Sequence, residues 1–143
     1  MRLALDEAAA AALGGEVPVG AVVVRDGEVL AVARNRMRAD NDPTAHAEMV
    51  ALRAAASRLG DCRLDGCDLW VTLEPCAMCA GAIALARIAR LYFGAGDPKG
   101  GAILHGPRLF GQPTCHHAPE VYPGIGEQEA GAMLRAFFQA RRA

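Results

Sequence analysis

The chain has 143 residues, 52% of them hydrophobic, and fifteen Lys and Arg against sixteen Asp and Glu give it a formal net charge of −1. This length and apolar content suit one compact core, so we expect a single domain over residues 1–143. A strongly basic balance, typical of many nucleic-acid-binding proteins, is lacking, and no apolar run approaches the roughly eighteen residues of a membrane span. Five cysteines without the spacing of a disulfide scaffold indicate reduced thiols, so we expect a soluble cytoplasmic protein.

The pattern of apolar and turn residues predicts four helices and four strands. In chain order these are a helix over 3–13, strands over 17–24 and 29–33, a helix over 45–58, a strand over 69–73, a helix over 76–86, a strand over 89–95 and a helix over 127–142. Asp26-Gly27 between the first two strands favours an antiparallel hairpin. The strand, helix and strand from 69 to 95 predict a crossover unit whose two strands are parallel. The sheet is therefore mixed, and the pattern predicts a three-layer α/β/α sandwich.

Three local expectations accompany this assignment. Thr44 is placed to cap the helix that follows it. The Gly- and Pro-rich stretch 94–126 is expected to be coil with short helical turns. The last helix is expected to bury a stripe that consists of Met133, Leu134, Phe137 and Phe138.

Two short motifs contain the residues of a metal site. His46-Ala47-Glu48 lies at the start of the second helix, and Cys76 and Cys79 lie at helical positions i and i+3 directly after Pro75. Zinc binds thiolate and imidazole in tetrahedral geometry, so His46, Cys76 and Cys79 would hold one ion and leave a fourth position for water. Glu48 remains free and could move a proton between that water and a leaving amine. The sequence therefore predicts one catalytic Zn²⁺ per chain with Glu48 as the catalytic acid and base.

A Cys-x-x-Cys pair alone is also found in redox motifs and in structural zinc sites. A structural zinc site needs a fourth protein ligand, and Cys115-His116-His117 is the strongest competitor for that place. Further candidates are Cys62, Cys67 and His105. With the fourth position filled, the chain would be a zinc-stabilised binding module and not an enzyme.

The motifs extend well beyond the metal ligands and resemble those of the bacterial tRNA-specific adenosine deaminases, in the cytidine/deoxycytidylate deaminase superfamily. His-x-Glu followed by Pro-Cys-x-x-Cys is the general pattern of zinc nucleobase deaminases. The matching stretches are Glu16 to Val22, Asn35-Arg36, Thr44 to Glu48, Thr72 to Ile83 and Phe93 to Gly101. The resemblance implies a cytidine-deaminase-like fold, a homodimer, and conversion of the wobble adenosine of a tRNA anticodon stem-loop to inosine.

The resemblance also implies roles for residues outside the metal site. Asn35 would hydrogen-bond the target base, Val19 and Gly20 would line its pocket, and Asp97 and Lys99 would border the nucleic acid. The last helix would also contact tRNA, which offers a role for Phe137, Phe138, Arg141 and Arg142. The alternative for the two aromatic residues is a buried core stripe, which we favour for Phe137, and the alternative for the arginines is a solvated tail. A deaminase of a free base or nucleoside, such as guanine, cytosine or cytidine, would share the same chemistry and is the main rival.

Overall fold

The computed structural model describes residues 1–142, so Ala143, the last residue of the predicted domain, lies outside the described residues. The helices and strands are α1 (Arg2–Leu13), β1 (Gly20–Arg25), β2 (Glu28–Arg34), α2 (Ala47–Leu59), β3 (Asp68–Leu73), α3 (Ala77–Ala86), β4 (Arg90–Ala95), β5 (Glu120–Tyr122) and α4 (Glu127–Arg142), with a 3₁₀ turn at Leu109–Gly111. Within residues 1–142, no helix combines the length and the apolarity needed to cross a membrane.

The strands form one mixed sheet in the order β2-β1-β3-β4-β5. β1 pairs antiparallel with β2 and β3, whereas β3, β4 and β5 are parallel to one another. The predicted mixed sheet and the predicted parallel crossover are confirmed. The prediction of coil over 94–126 missed β5, because a strand of three residues between Pro119 and Pro123 is too short to give an alternating pattern.

The predicted hairpin is present, but its first strand begins later than expected. Asp26 and Gly27 have φ values of 51° and 78°, as a two-residue type I′ turn requires. β1 starts at Gly20 and not at residue 17, because Pro18 has no N–H to donate and the Val19 N–H donates to the Val17 carbonyl at 2.8 Å. The carbonyls of Val17 and Val19, just before β1, instead accept hydrogen bonds from Asn35.

The helices cover both faces of the sheet. α1 and α4 contact each other on one face of the sheet, where α1 packs on β1 and α4 packs on β4. α2 and α3 pack together on the other face. A Cβ atom at Gly20 would overlap the carbonyl oxygen of Ala4, so α1 lies directly on β1. The main core lies between the sheet and α2 and α3, and it includes Val71, Ile83, Leu91 and Phe93. This arrangement is the predicted three-layer α/β/α sandwich.

The start of α2 differs from the prediction. The helix begins at Ala47 with His46 as its N-cap, and Thr44 does not cap it. Instead, the Thr44 hydroxyl donates to Asp42 at 2.7 Å, and the side-chain oxygen of Asn35 accepts the Ala47 N–H at 2.8 Å. The predicted cap is therefore wrong, because a distant side chain supplies the acceptor that a helix start lacks.

The last helix buries fewer aromatic residues than predicted. Phe137 is buried, but Phe138 is 45% exposed, and Met133 and Leu134 are only partly buried. The side chain of Arg141 lies over the Phe137 ring, 3.5 Å from its centroid. The predicted stripe is thus wrong for Phe138, because α4 lies at the edge of the α1 and α4 layer and one side of it faces solvent.

Candidate active site

Two helix starts bring His46, Cys76 and Cys79 together. His46 is the N-cap of α2 and Cys76 is the N-cap of α3, so two positively polarised helix ends converge on one point. The Nδ1 atom of His46 lies 3.6 Å from the Sγ atom of Cys76 and 3.6 Å from that of Cys79. All three ligand atoms lie within 4.8 Å of one another. The sequence-predicted ligand set is therefore one cluster in space.

The spacing of these atoms fits zinc. With Zn–S bonds of about 2.3 Å and a Zn–N bond of about 2.0–2.1 Å, tetrahedral angles place sulfur and nitrogen about 3.6 Å apart. Both observed distances match this value. Two thiolates and one imidazole are also the donors that zinc prefers over magnesium or calcium. His46, Cys76 and Cys79 can hold one zinc ion.

The protonation states of the three residues are tightly linked. A hydrogen bond from the Cys79 thiol, with a further contribution from the His46 ring, lowers the pKa of Cys76 to about 4, although burial opposes this. The hydrogen bond to Cys76 raises the pKa of His46. The hydrogen bond to Cys76 and burial raise the pKa of Cys79. Cys76 is therefore the thiol of the cluster that ionises most readily. Because zinc binds thiolate and neutral imidazole, zinc and protons compete for these three residues.

Glu48 is buried at the start of α2, two residues after His46. Its side chain belongs to a residue with only 4% exposure. Burial raises the pKa of Glu48 to about 7, the negative charge of Cys76 adds to this effect, and the Glu48 backbone N–H opposes it. A carboxyl group with a pKa near neutral can accept and return a proton. The position and environment of Glu48 thus fit the predicted role of acid and base.

Asn35 joins the segment before β1 to the start of α2. Its side-chain N–H donates to the Val17 carbonyl at 3.2 Å while its oxygen accepts the Ala47 N–H. Its backbone N–H donates to the Val19 carbonyl at 3.1 Å. The side-chain oxygen and one side-chain N–H of Asn35 are therefore bonded within the protein. The second side-chain N–H remains for a ligand.

Val19 and Gly20, predicted to line the substrate pocket, lie beside Asn35 and also have structural roles. Val19 is 4% exposed and packs in the main core. The Gly20 N–H donates to the Thr72 hydroxyl at 3.2 Å, and the missing Cβ of Gly20 allows α1 to approach. The structure thus brings Val19 and Asn35 together at the end of α2 that holds His46.

Asp97 and Lys99, predicted to border the substrate, lie in a loop that follows β4. Asp97 Oδ1 accepts the backbone N–H groups of Lys99 and Gly100 at 3.1 and 2.9 Å. The Asp97 N–H donates to Glu74 at 3.0 Å, and Glu74 lies two residues before Cys76. The loop is therefore attached to the strand–helix junction that presents Cys76 and Cys79.

Glu74 is a functional candidate that no sequence motif identified as one. Its residue is 2% exposed, yet its carboxylate is surrounded by hydrogen-bond donors. Burial opposes ionisation, but donation from the Asp97 backbone and from the His105 ring and backbone neighbours outweighs it and lowers the pKa of Glu74. The sequence feature that could have identified Glu74 is an acidic residue directly after an apolar strand. A second buried acid, Glu16, accepts the backbone N–H groups of Arg38 and Ala39 in the same way.

The competing fourth ligands do not reach the cluster. Among residues 1–142, the metal-ligand group comprises only His46, Cys76 and Cys79. His117 bonds the Ile88 carbonyl at 2.8 Å, and the Cys115 thiol donates to the His117 carbonyl at 3.2 Å, which places this motif beyond the far end of α3. His105 pairs with Glu74. The structural-zinc alternative thus has no fourth protein ligand in the described part of the chain.

Comparison with known proteins places the chain in a family. Residues 1–95 match the profile described as the cytidine and deoxycytidylate deaminase zinc-binding region. The chain belongs to the cytidine and deoxycytidylate deaminase family. The matched segment contains His46, Glu48, Cys76 and Cys79, the residues of the cluster described above.

Individual members of this family differ in how similar they are to the chain. The chain is 58% identical over 142 residues to the tRNA-specific adenosine deaminase of Agrobacterium fabrum. The aligned region covers 99% of this chain and 93% of the relative. A solved structure from studies of A-to-I editing by tRNA:A34 deaminases at the wobble position superposes with a TM-score of 0.93 at 59% identity, covering 94% of this chain and 97% of that one. A guanine deaminase from Bacillus subtilis is more distant, at 30% identity and a TM-score of 0.65, with 99% and 90% of the two chains covered.

Proposed function

We propose that this protein is a single-domain, zinc-dependent hydrolytic deaminase that converts the wobble adenosine of a tRNA anticodon loop to inosine. The observation that carries the proposal is the 58% identity, over nearly the whole of both chains, to a tRNA-specific adenosine deaminase. The cluster of His46, Cys76 and Cys79 beside a buried Glu48 provides the chemistry. The guanine deaminase relative shares the fold at about half that identity, which makes a free base the weaker candidate.

The reaction replaces the amino group at C6 of adenine with oxygen from water and releases ammonia. Zinc, when bound, lowers the pKa of a coordinated water to about 7 and so makes it a nucleophile at neutral pH. Glu48 would accept one proton from the attacking water and deliver it to N1 of the purine, where it stays. It would then carry the second proton from the hydroxyl group on C6 to the departing amino nitrogen, so that ammonia leaves and a C6 carbonyl remains. Burial raises the pKa of the Glu48 carboxyl toward neutral pH, which favours both acceptance and return of a proton.

The remaining predicted contacts surround the position of the base. The free side-chain N–H of Asn35 can donate to a ring nitrogen of adenine, and its other contacts hold the amide in one orientation. Val19 and Gly20 would form the adjoining wall. Asp97 and Lys99 would meet the nucleotides on either side of the target. A base can enter such a site only when it is unstacked, as in an anticodon loop.

A basic and aromatic surface at the end of α4 supports an RNA partner. A cavity of about 240 Å³ is lined by Met37, Arg38, Phe138, Arg141 and neighbouring residues. Exposed Phe138 offers a ring for base stacking, and arginine side chains offer charge to phosphates. This surface adjoins Glu16 and the Arg38 loop, which begins at Asn35. Binding through it should weaken steeply as salt concentration rises. Because the substrate is tRNA, we also propose a cytoplasmic location.

We further propose that the protein is a homodimer that pairs through α3. Every residue of this helix is apolar or glycine, yet Ala77 is exposed and Leu85 is 83% exposed. A cavity of about 390 Å³ lies along the same helix, between Leu85 and the loop that contains Cys115 and His116. An apolar helix with an exposed face is typical of a subunit interface.

The deciding experiment is a deamination assay on purified zinc-loaded protein. The substrates are an anticodon stem-loop with adenosine at the wobble position, the same stem-loop with guanosine there, and free guanine, adenosine and cytidine. We expect inosine only from the first. Turnover of free guanine with an unreacted stem-loop would refute the tRNA proposal and support the rival, whereas no turnover of any substrate would refute deaminase activity.

A further inference from the structure

The Glu74 carboxylate is the point to which the loop after β4 is attached. Oε2 accepts the backbone N–H groups of Ile103, Leu104 and His105 at 3.1, 3.0 and 3.2 Å. Oε1 accepts the Asp97 N–H at 3.0 Å and lies 2.7 Å from Nδ1 of His105. One buried side chain thus collects five donors from both ends of residues 97–105, which we call the substrate loop.

The His105 ring is the only one of these donors that is a side chain. Because an ionised carboxylate can only accept hydrogen bonds, Nδ1 of His105 must have the proton and donate it. The His105 side chain is 38% exposed, whereas the Glu74 side chain is fully buried. The ring therefore covers the carboxylate on its solvent side and closes the set of contacts.

The substrate loop fits tightly around this carboxylate. A Cβ atom at Gly101 would lie 2.5 Å from Glu74 Cδ and 2.5 Å from the Asp97 carbonyl oxygen. The Ala102 N–H donates to the Pro75 carbonyl at 2.9 Å, so the loop also contacts the residue next to Cys76. The positions of Asp97 and Lys99 are thus fixed relative to the metal ligands before any substrate binds.

Stability alone does not explain a buried carboxylate at this position. Well-packed apolar residues often replace a buried ion pair without loss of stability, and a defined geometry is one benefit that a buried charge can give instead. Here the geometry that is defined is that of the loop bearing Asp97 and Lys99. Pre-ordering a binding loop reduces the entropy lost when a ligand binds.

We propose that Glu74 and His105 are a positioning pair that holds the substrate loop ready for RNA, and that this pair determines affinity for the stem-loop and not the rate of deamination. The inference rests on the proposed function, since it takes an RNA stem-loop as the substrate. When the pair is broken, only a fraction of molecules has the loop in its binding position, and apparent affinity falls by that fraction.

The test compares two replacements of His105 in the zinc-loaded full chain. His105→Asn keeps an N–H donor at the position of Nδ1, and His105→Leu removes it at similar size. We expect His105→Leu to raise KM for the stem-loop by about tenfold, the effect of one charge-assisted hydrogen bond, with kcat within about twofold of the original protein. His105→Asn should restore KM to within about threefold of the original value. Zinc content should stay at one per chain in both.

Amide hydrogen exchange tests the same pair without activity. In His105→Leu, exchange at Ile103, Leu104 and His105 itself should accelerate by about tenfold relative to the original protein, while amides in the middle of α2 stay unchanged. Unchanged loop exchange and KM in His105→Leu would overturn the proposal, as would a fall in kcat at constant KM, or equal defects in the two variants. An original protein that does not deaminate the stem-loop would refute the proposed function alone, because hydrogen exchange would still decide whether the pair holds the loop.

Discussion

Replacing Asn35 with alanine should destabilise the protein as well as impair substrate binding. The change removes an acceptor 2.8 Å from the Ala47 N–H and a donor 3.2 Å from the Val17 carbonyl. Asn35 is only 7% exposed, so water has limited access to the two groups left behind. Each buried polar group without a partner costs about 1–3 kcal/mol. The two together give an expected loss of about 2–4 kcal/mol, after allowing for partial entry of water.

Urea unfolding of the zinc-loaded protein measures this loss. With a slope of about 2 kcal/mol per M, a loss of about 2–4 kcal/mol lowers the unfolding midpoint by about 1–2 M. Gln128→Ala is the control, since Gln128 is an exposed amide in the first turn of α4, and its removal should change stability by less than about 0.5 kcal/mol. A midpoint for Asn35→Ala that matches the control would refute the anchoring role and leave Asn35 as a substrate contact only.

Four further outcomes are expected. Glu48→Gln should keep one zinc per chain, measured by elemental analysis, and lower stem-loop deamination by at least about 100-fold; a near-normal rate would exclude Glu48 as the proton carrier. The Cys79→Ser variant should bind no zinc and should have a lower Tm, measured by calorimetry, because zinc binding contributes to folding. A chelator should lower the Tm of the original protein but not that of this variant. Leu85→Asp should give a monomer in light scattering, and an unchanged dimer would locate the interface elsewhere. Gly101→Ala should destabilise the protein by about 1–3 kcal/mol because its Cβ would contact Glu74 at 2.5 Å, whereas Gly111→Ala, with open space around it, should not.

The reaction chemistry could be predicted from short-range patterns. His46 and Glu48 are two residues apart, and Cys76 and Cys79 are one helical turn apart, so each pair has its geometry set by local structure. Hydrophobic periodicity predicted the long helices and strands for the same reason, and Asp26-Gly27 predicted the hairpin because only a few residue types adopt positive φ without strain.

The local sequence did not predict the contacts between segments that are distant in the chain. Thr44 looked like the cap of α2, but the acceptor comes from Asn35, twelve residues earlier, because β2 delivers it to the helix start. β5 forms because β4 offers a free edge to three residues that have little strand signal of their own. Phe138 looked buried by periodicity, but its exposure depends on how far the α1 and α4 layer extends over the sheet.

The sequence by itself predicted the candidate ligand types, the nearby carboxylate of Glu48 and the order of strands and helices around them, since these depend on residue identity and on spacing of a few positions. Only the tertiary structure decided that two helix starts place His46 Nδ1 3.6 Å from both sulfur atoms, and that Cys115 and its neighbours lie elsewhere. It also decided that the Glu74 carboxylate binds both ends of a loop that lies 23 to 31 residues further along the chain. Such contacts join segments that are remote in the chain, and no local pattern specifies them because they form only when the sheet and its two helix layers pack.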